Sequence, residues 1–237
     1  MSLNTSKVNA VDPDWKCLYR VGGISALVLG LAYLIIIALY VAVGAPPKDA
    51  EAHLAYLARH TRAWWGILGL SVLTDFLFVP VASALYLALK GINRSAMLLA
   101  TACVWLFVVL DLAITWTNYA VLIRLSADYA AATSDAQRAA LVAAANYPSA
   151  LLGSALFGVY VILVPAVGFL LTGLVMLKGV FNKSTAYMGL ASGILAIVSV
   201  VGPLFLSSLG VTIVIASALT TVWIFFVGYR LYRLGQE

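Results

Sequence analysis

The chain has 237 residues, of which 64% are hydrophobic and only 10% are charged. Soluble domains contain about 45–50% apolar and about 25% charged residues, so this composition excludes a soluble globular fold and indicates a protein that sits in lipid. The net charge of +5 does not indicate nucleic-acid binding. The basic residues are scattered along the chain, whereas nucleic-acid binding requires a basic patch or stripe.

Six apolar segments are long enough to cross a bilayer, which takes about 20 residues. In chain order they cover residues 21–44, 64–89, 95–123, 147–177, 185–207 and 211–231. The first is too long for the apolar region of about 7–15 residues in a signal peptide, so we interpret it as a retained span. A turn cluster of Pro, Ser and Gly within residues 203–210 separates the last two. The sequence therefore predicts an all-α, six-helix transmembrane bundle, one membrane domain over residues 21–233, with short tails at residues 1–20 and 234–237.

The charged residues at the segment ends predict the orientation of the bundle. One side carries the basic residues Lys7, Lys16, Arg20, Lys90, Arg94, Lys178, Lys183, Arg230 and Arg233, and the other side carries Lys48, Arg59, Arg62, Arg124 and Arg138. The side richer in Lys and Arg is expected to face the cytoplasm. Because the number of spans is even, both termini are predicted to be cytoplasmic.

The two loops on the opposite side are longer, and each has the pattern of a small amphipathic helix. The first helix is predicted from Lys48 to Arg59, after a Pro-Pro breaker. The second opens with a capping box, Ser134 and Gln137, and is predicted to end before Pro148. Such helices usually lie in the headgroup plane. A lid over an outward-facing cavity is the alternative interpretation.

Two aspartates, Asp75 and Asp111, are the only acidic side chains within the apolar segments. A charged side chain at the bilayer centre costs about 2.5–3.5 kcal/mol on insertion scales, so each aspartate is expected to have a functional or structural role that offsets this cost. The second and third segments form a hairpin around a short turn, Lys90 to Arg94. Along ideal helices Asp75 lies about 22 Å and Asp111 about 26 Å from that turn. Because this difference is less than one helical turn, the sequence predicts that the two carboxyl groups share one site.

Three neutral side chains are candidate partners of this pair. Ser71 lies one helical turn before Asp75, and Thr115 and Asn118 follow Asp111 on the same predicted helix face. No basic residue is expected at this depth, which leaves three states: both aspartates protonated, one proton shared by a coupled pair, or a cation held between them. The alternative is structural, because polar groups also hydrogen-bond across membrane helices and fix their packing.

No motif for catalysis or for cofactor binding is present. The only histidines, His53 and His60, lie in the first long loop. Along a continuous helix His60 is about 22 Å from Asp75, which is too far for both residues to bind the same metal ion. We find no nucleophile with a base beside it and no phosphate-binding or dinucleotide-binding motif. We therefore predict no cofactor, leave a metal open, and favour a protein that is not an enzyme.

Several short motifs spread along the chain are similar to those of one membrane family. They are Arg20-Val21-Gly22-Gly23, Ala84-Leu85-Tyr86-Leu87-Ala88-Leu89, Asn93-Arg94, Leu98-Leu99-Ala100, Leu171-Thr172-Gly173-Leu174, Lys178-Gly179 and Leu190-Ala191-Ser192-Gly193. Through them the chain resembles the bacterial six-helix membrane family catalogued as domain of unknown function 4386. The resemblance covers most of the chain. It implies six spans and a location in the bacterial inner membrane, and it implies no catalytic residue, substrate or cofactor.

Three functions are compatible with these features. The first is a small transporter or ion-responsive protein in which Asp75 and Asp111 bind a proton or cation. The second is a non-catalytic membrane partner or assembly protein in which the same pair fixes helix packing. The third, an intramembrane enzyme acting on lipid, is the weakest. The expected partners are the lipid bilayer, a proton or small ion and another membrane protein, and nucleic acid is excluded.

Overall fold

The computed structural model describes residues 13–47 and 49–237, and all regular structure in this part of the chain is helical. Residues 1–12 of the predicted tail, and Lys48 at the predicted start of the first loop helix, lie outside the described residues. The α-helices are α1 (Lys16–Val43), α2 (Ala50–Arg59), α3 (Thr61–Leu89), α4 (Arg94–Leu110), α5 (Thr117–Ala131), α6 (Asp135–Leu152), α7 (Ala155–Gly158), α8 (Val164–Met176), α9 (Lys183–Val201) and α10 (Thr212–Leu234).

Six helical segments of the described chain are long and apolar enough to cross a membrane. These segments, spans 1 to 6, are Lys16–Val43, Thr61–Leu89, Arg94–Ala131, Ala155–Met176, Lys183–Leu204 and Ser207–Leu234. They confirm the predicted all-α fold with six spans and make the protein a multi-pass membrane protein. Spans 5 and 6 are separated at Phe205 and Leu206, inside the predicted turn cluster.

The second loop helix and the start of span 4 differ from the prediction. The helix α6 does not end before Pro148 but continues to Leu152, and span 4 begins at Ala155 rather than at residue 147. Proline inside a helix costs about 3 kcal/mol or more through a lost hydrogen bond, but Pro148 is buried against the neighbouring helices. The chain breaks instead at Gly153, where the Ser154 hydroxyl accepts a hydrogen bond from the Phe157 N–H at 3.4 Å and caps α7.

The six spans form an up-and-down ring. Each span packs against its neighbours along the chain, and α10 closes the ring by packing against α1. Glycine makes the closest helix contacts: a Cβ atom at Gly22 would lie 2.5 Å from Ala84 Cβ on α3, and one at Gly23 would lie 2.5 Å from the Tyr232 nitrogen on α10. Backbones approach this closely only where the side chains are small.

The helices α2 and α6 form a cap at one end of the ring, the cap side. They pack against each other and against α5. Their apolar faces meet span residues in a cluster that includes Leu54, Leu57, Trp64, Leu122 and Ala145. The two helices therefore continue the core beyond the spans, at the end that the sequence predicts to be external.

Basic side chains at the opposite end bind the C-terminal residues and the connection between spans 4 and 5. Arg20 Nε donates to the Gly235 carbonyl at 2.8 Å, and Arg230 Nε donates to the Val180 carbonyl at 3.0 Å. Arg230 also pairs with Glu237 at 3.0 Å. These contacts connect spans 1, 4 and 6 at the end where the sequence places the cytoplasm.

Candidate functional site

Two spans contain a π-helical turn near the middle of the ring. Span 3 is π-helical at Asp111–Trp116, and span 4 is π-helical at Val159–Leu163. In a π-helix the hydrogen bonds join residues i and i+5, so a side chain five positions along comes to lie over the first. In an α-helix the same two side chains point in different directions. The turn in span 3 therefore brings Trp116 over Asp111.

The indole N–H of Trp116 joins the two aspartates. Trp116 Nε1 donates to Asp75 Oδ2 at 3.0 Å and to Asp111 Oδ2 at 3.1 Å. Both carboxyl groups are buried, with Asp75 2% and Asp111 4% exposed. Since an indole carries one donor proton, both oxygens accept from the same hydrogen. The structure thus brings together the two side chains that the hairpin spacing places at equal depth.

One oxygen of the pair lacks a well-formed hydrogen bond. Asp111 Oδ1 is buried and accepts no hydrogen bond of good geometry from any described residue, although the Thr115 side chain lies close enough to interact with Asp111. Buried carboxyl oxygens are normally hydrogen-bonded, and an exception needs an explanation such as an ion or a proton. This enclosed oxygen has room for a proton but not for a larger ligand atom.

The aspartate pair faces a central cavity of about 440 Å³ that is lined by all six spans. Its wall is apolar with a band of hydroxyl groups, among them those of Tyr33, Tyr40, Ser71, Thr74, Tyr119 and Thr220. Ionisable side chains within spans almost always face the interior of the bundle or a cavity, and Asp75 and Asp111 do so here. Among the residues that the structure describes, no Lys, Arg or His lines this cavity.

Aromatic rings close the cavity on the side away from the cap. The ring of Phe78 lies 5.8 Å from that of Phe107 and 6.3 Å from that of Phe169, and Phe169 lies 5.3 Å from Trp223. Phe78, Phe107 and Phe169 all line the cavity, and we call them the aromatic floor. The cavity therefore extends from the aspartates toward the cap side. No described residue of α2 or α6 lines it.

A second series of rings positions Trp116. Its ring lies 5.7 Å from that of Tyr119, which stacks on Trp64 at 5.1 Å. Trp64 is fully buried and also meets Tyr40 edge to face at 5.7 Å. This packing holds the indole between the aspartates and connects it to the core beneath the cap.

The candidate partners of the aspartates have different positions. Ser71 is buried and lines the cavity. Thr115 also lines it, and its hydroxyl lies 3.5 Å from the Tyr160 hydroxyl on the π-helical turn of span 4. Asn118 does not line it, and its amide donates to the Ile114 carbonyl at 2.7 Å. The π-helical turn changes the direction of the residues that follow it, so Asn118 lies off the cavity face that carries Asp111.

The sequence did not identify Trp116, Tyr33 or Thr74 as site residues. Trp116 follows Asp111 by five positions, and only a π-helical turn makes these two residues neighbours. Tyr33 could have been found, because Tyr33 and Tyr40 lie two helical turns apart on one face of span 1.

The side-chain atoms around the cavity that could coordinate a ligand are nearly all oxygen. In the described part of the chain, no three His, Cys, Asp or Glu residues lie close enough together to hold a metal ion. Carboxylate and hydroxyl oxygens suit a proton or a hard cation, whereas zinc and copper sites use imidazole or thiolate ligands. The arrangement therefore fits proton or alkali-type cation chemistry better than transition-metal chemistry.

Fold and site together define a class: a six-span membrane protein with a carboxyl pair facing a central cavity. The chain belongs to the family described as Domain of unknown function (DUF4386), which matches residues 24–231. This confirms the family resemblance, although the motif Arg20-Val21-Gly22-Gly23 precedes the matched range. Comparison with curated proteins and with solved structures gave no match.

Proposed function

We propose that the protein is a small transporter or ion-responsive protein of the bacterial inner membrane, in which Asp75 and Asp111 bind and release a proton or small cation. One observation carries the proposal. Both carboxyl groups accept from a single indole N–H while they face the same cavity, and Asp111 Oδ1 accepts no hydrogen bond of good geometry from a described residue.

Charge balance supports a ligand at this pair. Two carboxylates around one donor repel each other strongly in a low-dielectric interior. The Trp116 N–H is neutral, and no basic side chain among the described residues lines the cavity. A proton or a cation therefore lowers the negative charge of the pair while it stays buried.

A proton suits the geometry better than a cation. The Trp116 N–H points at both Oδ2 atoms, which is where a cation bridging the two carboxylates would sit. A proton on Asp111 Oδ1 needs no such space, and a proton from the cavity side can reach the pair. Because the aromatic floor closes the other side, transport across the membrane requires a second conformation in which these rings separate. If the protein is a sensor, no such second conformation is needed, and protonation and deprotonation of the aspartate pair are sufficient.

The alternative function is a non-catalytic membrane partner or assembly protein that uses the pair for helix packing. It is favoured by the bond from Trp116 on span 3 to Asp75 on span 2, which crosses between helices. Hydrogen bonds of this kind contribute about 0.6 kcal/mol on average. The two functions differ in whether the carboxyl groups titrate.

The test measures titration directly. Wild-type protein in lipid nanodiscs should show a protonated-carboxyl C=O band in infrared difference spectra between alkaline and acid pH. Asp75→Asn and Asp111→Asn should each remove or shift the band, since the two groups titrate as a coupled pair. The control is Asp128→Asn, which removes a carboxylate with 46% of its side chain exposed, outside the cavity. It should keep the band.

Sodium and potassium added at constant pH separate the two ligands. A cation site predicts that either salt displaces the proton and reduces the band, whereas a proton site predicts no change. If both Asn variants keep the wild-type band and lose only thermal stability, the pair fixes packing and the proposal is wrong. Trp116→Phe should then lower thermal stability by a similar amount.

A further inference from the structure

A second concave site lies on the outer surface of the ring, between spans 2 and 3. It is a groove of about 570 Å³ whose walls are mostly apolar. The residues that define it include Leu68, Val72, Leu112, Trp116, Ala120 and Arg124. We propose that this groove binds an acyl chain of an anionic phospholipid, with Arg124 in contact with the phosphate of the headgroup.

The dimensions of the groove fit one leaflet of a bilayer. From Arg124 to Leu112 it follows the axis of span 3 for about 18 Å. The hydrocarbon core is about 30 Å thick, so one leaflet contributes about half of that. Val121, on the same wall, is 45% exposed and faces the surrounding lipid. A lipid chain is thus the molecule that surrounds this surface and that matches its length and apolar character.

Arg124 supplies the charge that distinguishes an anionic lipid. Its side chain is 78% exposed at the cap-side end of the groove and lies 3.4 Å from Asp128, one turn further along α5. An exposed pair of this kind contributes only about 0–1 kcal/mol. The guanidinium has five N–H donors, so it keeps donors for a phosphate, which it can bind in a bidentate manner.

Trp116 connects the groove to the aspartate pair. It lines both the groove and the central cavity, and the π-helical turn is what places it there. A chain in the groove packs against the indole whose N–H holds Asp75 and Asp111. The lipid site extends beyond the proposed function and does not depend on whether the aspartates titrate.

The experiment is native mass spectrometry of the purified protein with added phosphatidylglycerol or phosphatidylcholine. Wild type should retain phosphatidylglycerol in clear preference to phosphatidylcholine. Ala120→Trp fills the groove and should reduce phosphatidylglycerol adducts at least about tenfold, the change expected for about 1.4 kcal/mol. Arg124→Gln should remove the preference between the two lipids. Leu98→Trp adds the same ring at a lipid-facing position of α4 that is 58% exposed and outside the groove, and it should behave as wild type.

Three results would overturn the lipid site: equal retention of both lipids by wild type, an unchanged preference in Arg124→Gln, or unchanged adducts in Ala120→Trp. Arg124 is exposed, so its variant folds and remains informative if Ala120→Trp does not. The carboxyl band of Asp75 and Asp111 is measured separately. It should persist in Arg124→Gln, and lipid adducts should persist in Asp111→Asn, so failure of either proposal is recognised independently.

Discussion

Trp116 is the side chain that hydrogen-bonds to both aspartates of the candidate site. Its N–H reaches the two acids of the cavity at 3.0 and 3.1 Å, and Trp116 lines both the cavity and the outer groove between spans 2 and 3. The acids themselves could be predicted, since a carboxyl group within an apolar segment is rare and costly. Trp116 could not, because tryptophan in a membrane span is unremarkable by composition and its contact with Asp111 depends on a local change in helix geometry.

A residue outside the spans gives a pH-dependent prediction. His53 on α2 is 8% exposed, and its Nε2 atom has no hydrogen-bond partner among the described residues. Burial lowers the pKa of the His53 imidazole below its usual value of 6.5. At a pH between the pKa of His53 in the folded chain and its pKa in the unfolded chain, the unfolded chain binds more protons. The stability of the cap therefore rises with pH in that window. The stabilisation of the cap is therefore expected to be complete above about pH 6.5 and to fall as the pH drops below it.

Hydrogen exchange of residues 50–59, corrected for the intrinsic rate, checks this prediction. Between pH 7.5 and 5.5 the protection of α2 should fall by at most about tenfold per pH unit, the limit for one proton. His53→Phe should remove the dependence, because the ring stays but cannot be protonated. His60→Gln is the control, a half-buried histidine at the end of α2, and it should keep the wild-type profile. A profile that is unchanged in His53→Phe would contradict the prediction.

At the scale of helices, close packing depends on glycine at a few positions. Gly23 on α1 packs against α10, and an added Cβ would lie 2.5 Å from the Tyr232 nitrogen and 2.8 Å from Tyr232 Cα. These are backbone atoms, which cannot move aside as a flexible side chain would. Gly69 on α3 has nothing within 4 Å of a Cβ. The two glycines therefore have different roles although both lie inside spans.

Alanine at these two positions should have opposite effects. Gly23→Ala is expected to lower the free energy of unfolding by about 1–3 kcal/mol, the usual range for overpacking. Gly69→Ala should be neutral or should stabilise by up to about 1 kcal/mol, because alanine is the better helix former. Thermal unfolding of both variants in the same detergent measures the difference. Equal melting temperatures would show that α1 and α10 do not pack through Gly23 as described.

The spans were predictable, and the breaks inside them were not. About twenty apolar residues cross a bilayer, so the number of spans could be predicted from the apolar runs and the turn residues between them, although the start of span 4 could not. The π-helical turns at Asp111–Trp116 and Val159–Leu163 depend on packing between neighbouring helices, which a single sequence does not display. Ser71 and Thr115 line the cavity, whereas Asn118, which follows the π-helical turn, does not.

At the scale of the whole molecule, the ring separates two different ends. The cap side has α2 and α6, whose residues meet in a small core of their own. The other end has short connections and basic side chains that bind carbonyl groups, such as Arg20 to Gly235 and Arg230 to Val180. The central cavity extends toward the cap side, so the orientation of the ring decides from which compartment the proposed proton or ion would come.

Orientation is predicted from charge and can be measured with two fusions. Cytoplasmic loops are rich in Lys and Arg, and the end opposite the cap carries most of these residues. A reporter joined after Glu237 should therefore be active only in its cytoplasmic form. A reporter inserted at Thr133, in the short connection between α5 and α6, should be active only in its external form. An external reading at Glu237 together with a cytoplasmic reading at Thr133 would invert the bundle, and the aspartate pair would then exchange its proton or ion with the cytoplasm. Opposite readings at the two positions are required in either orientation, because an odd number of spans lies between them.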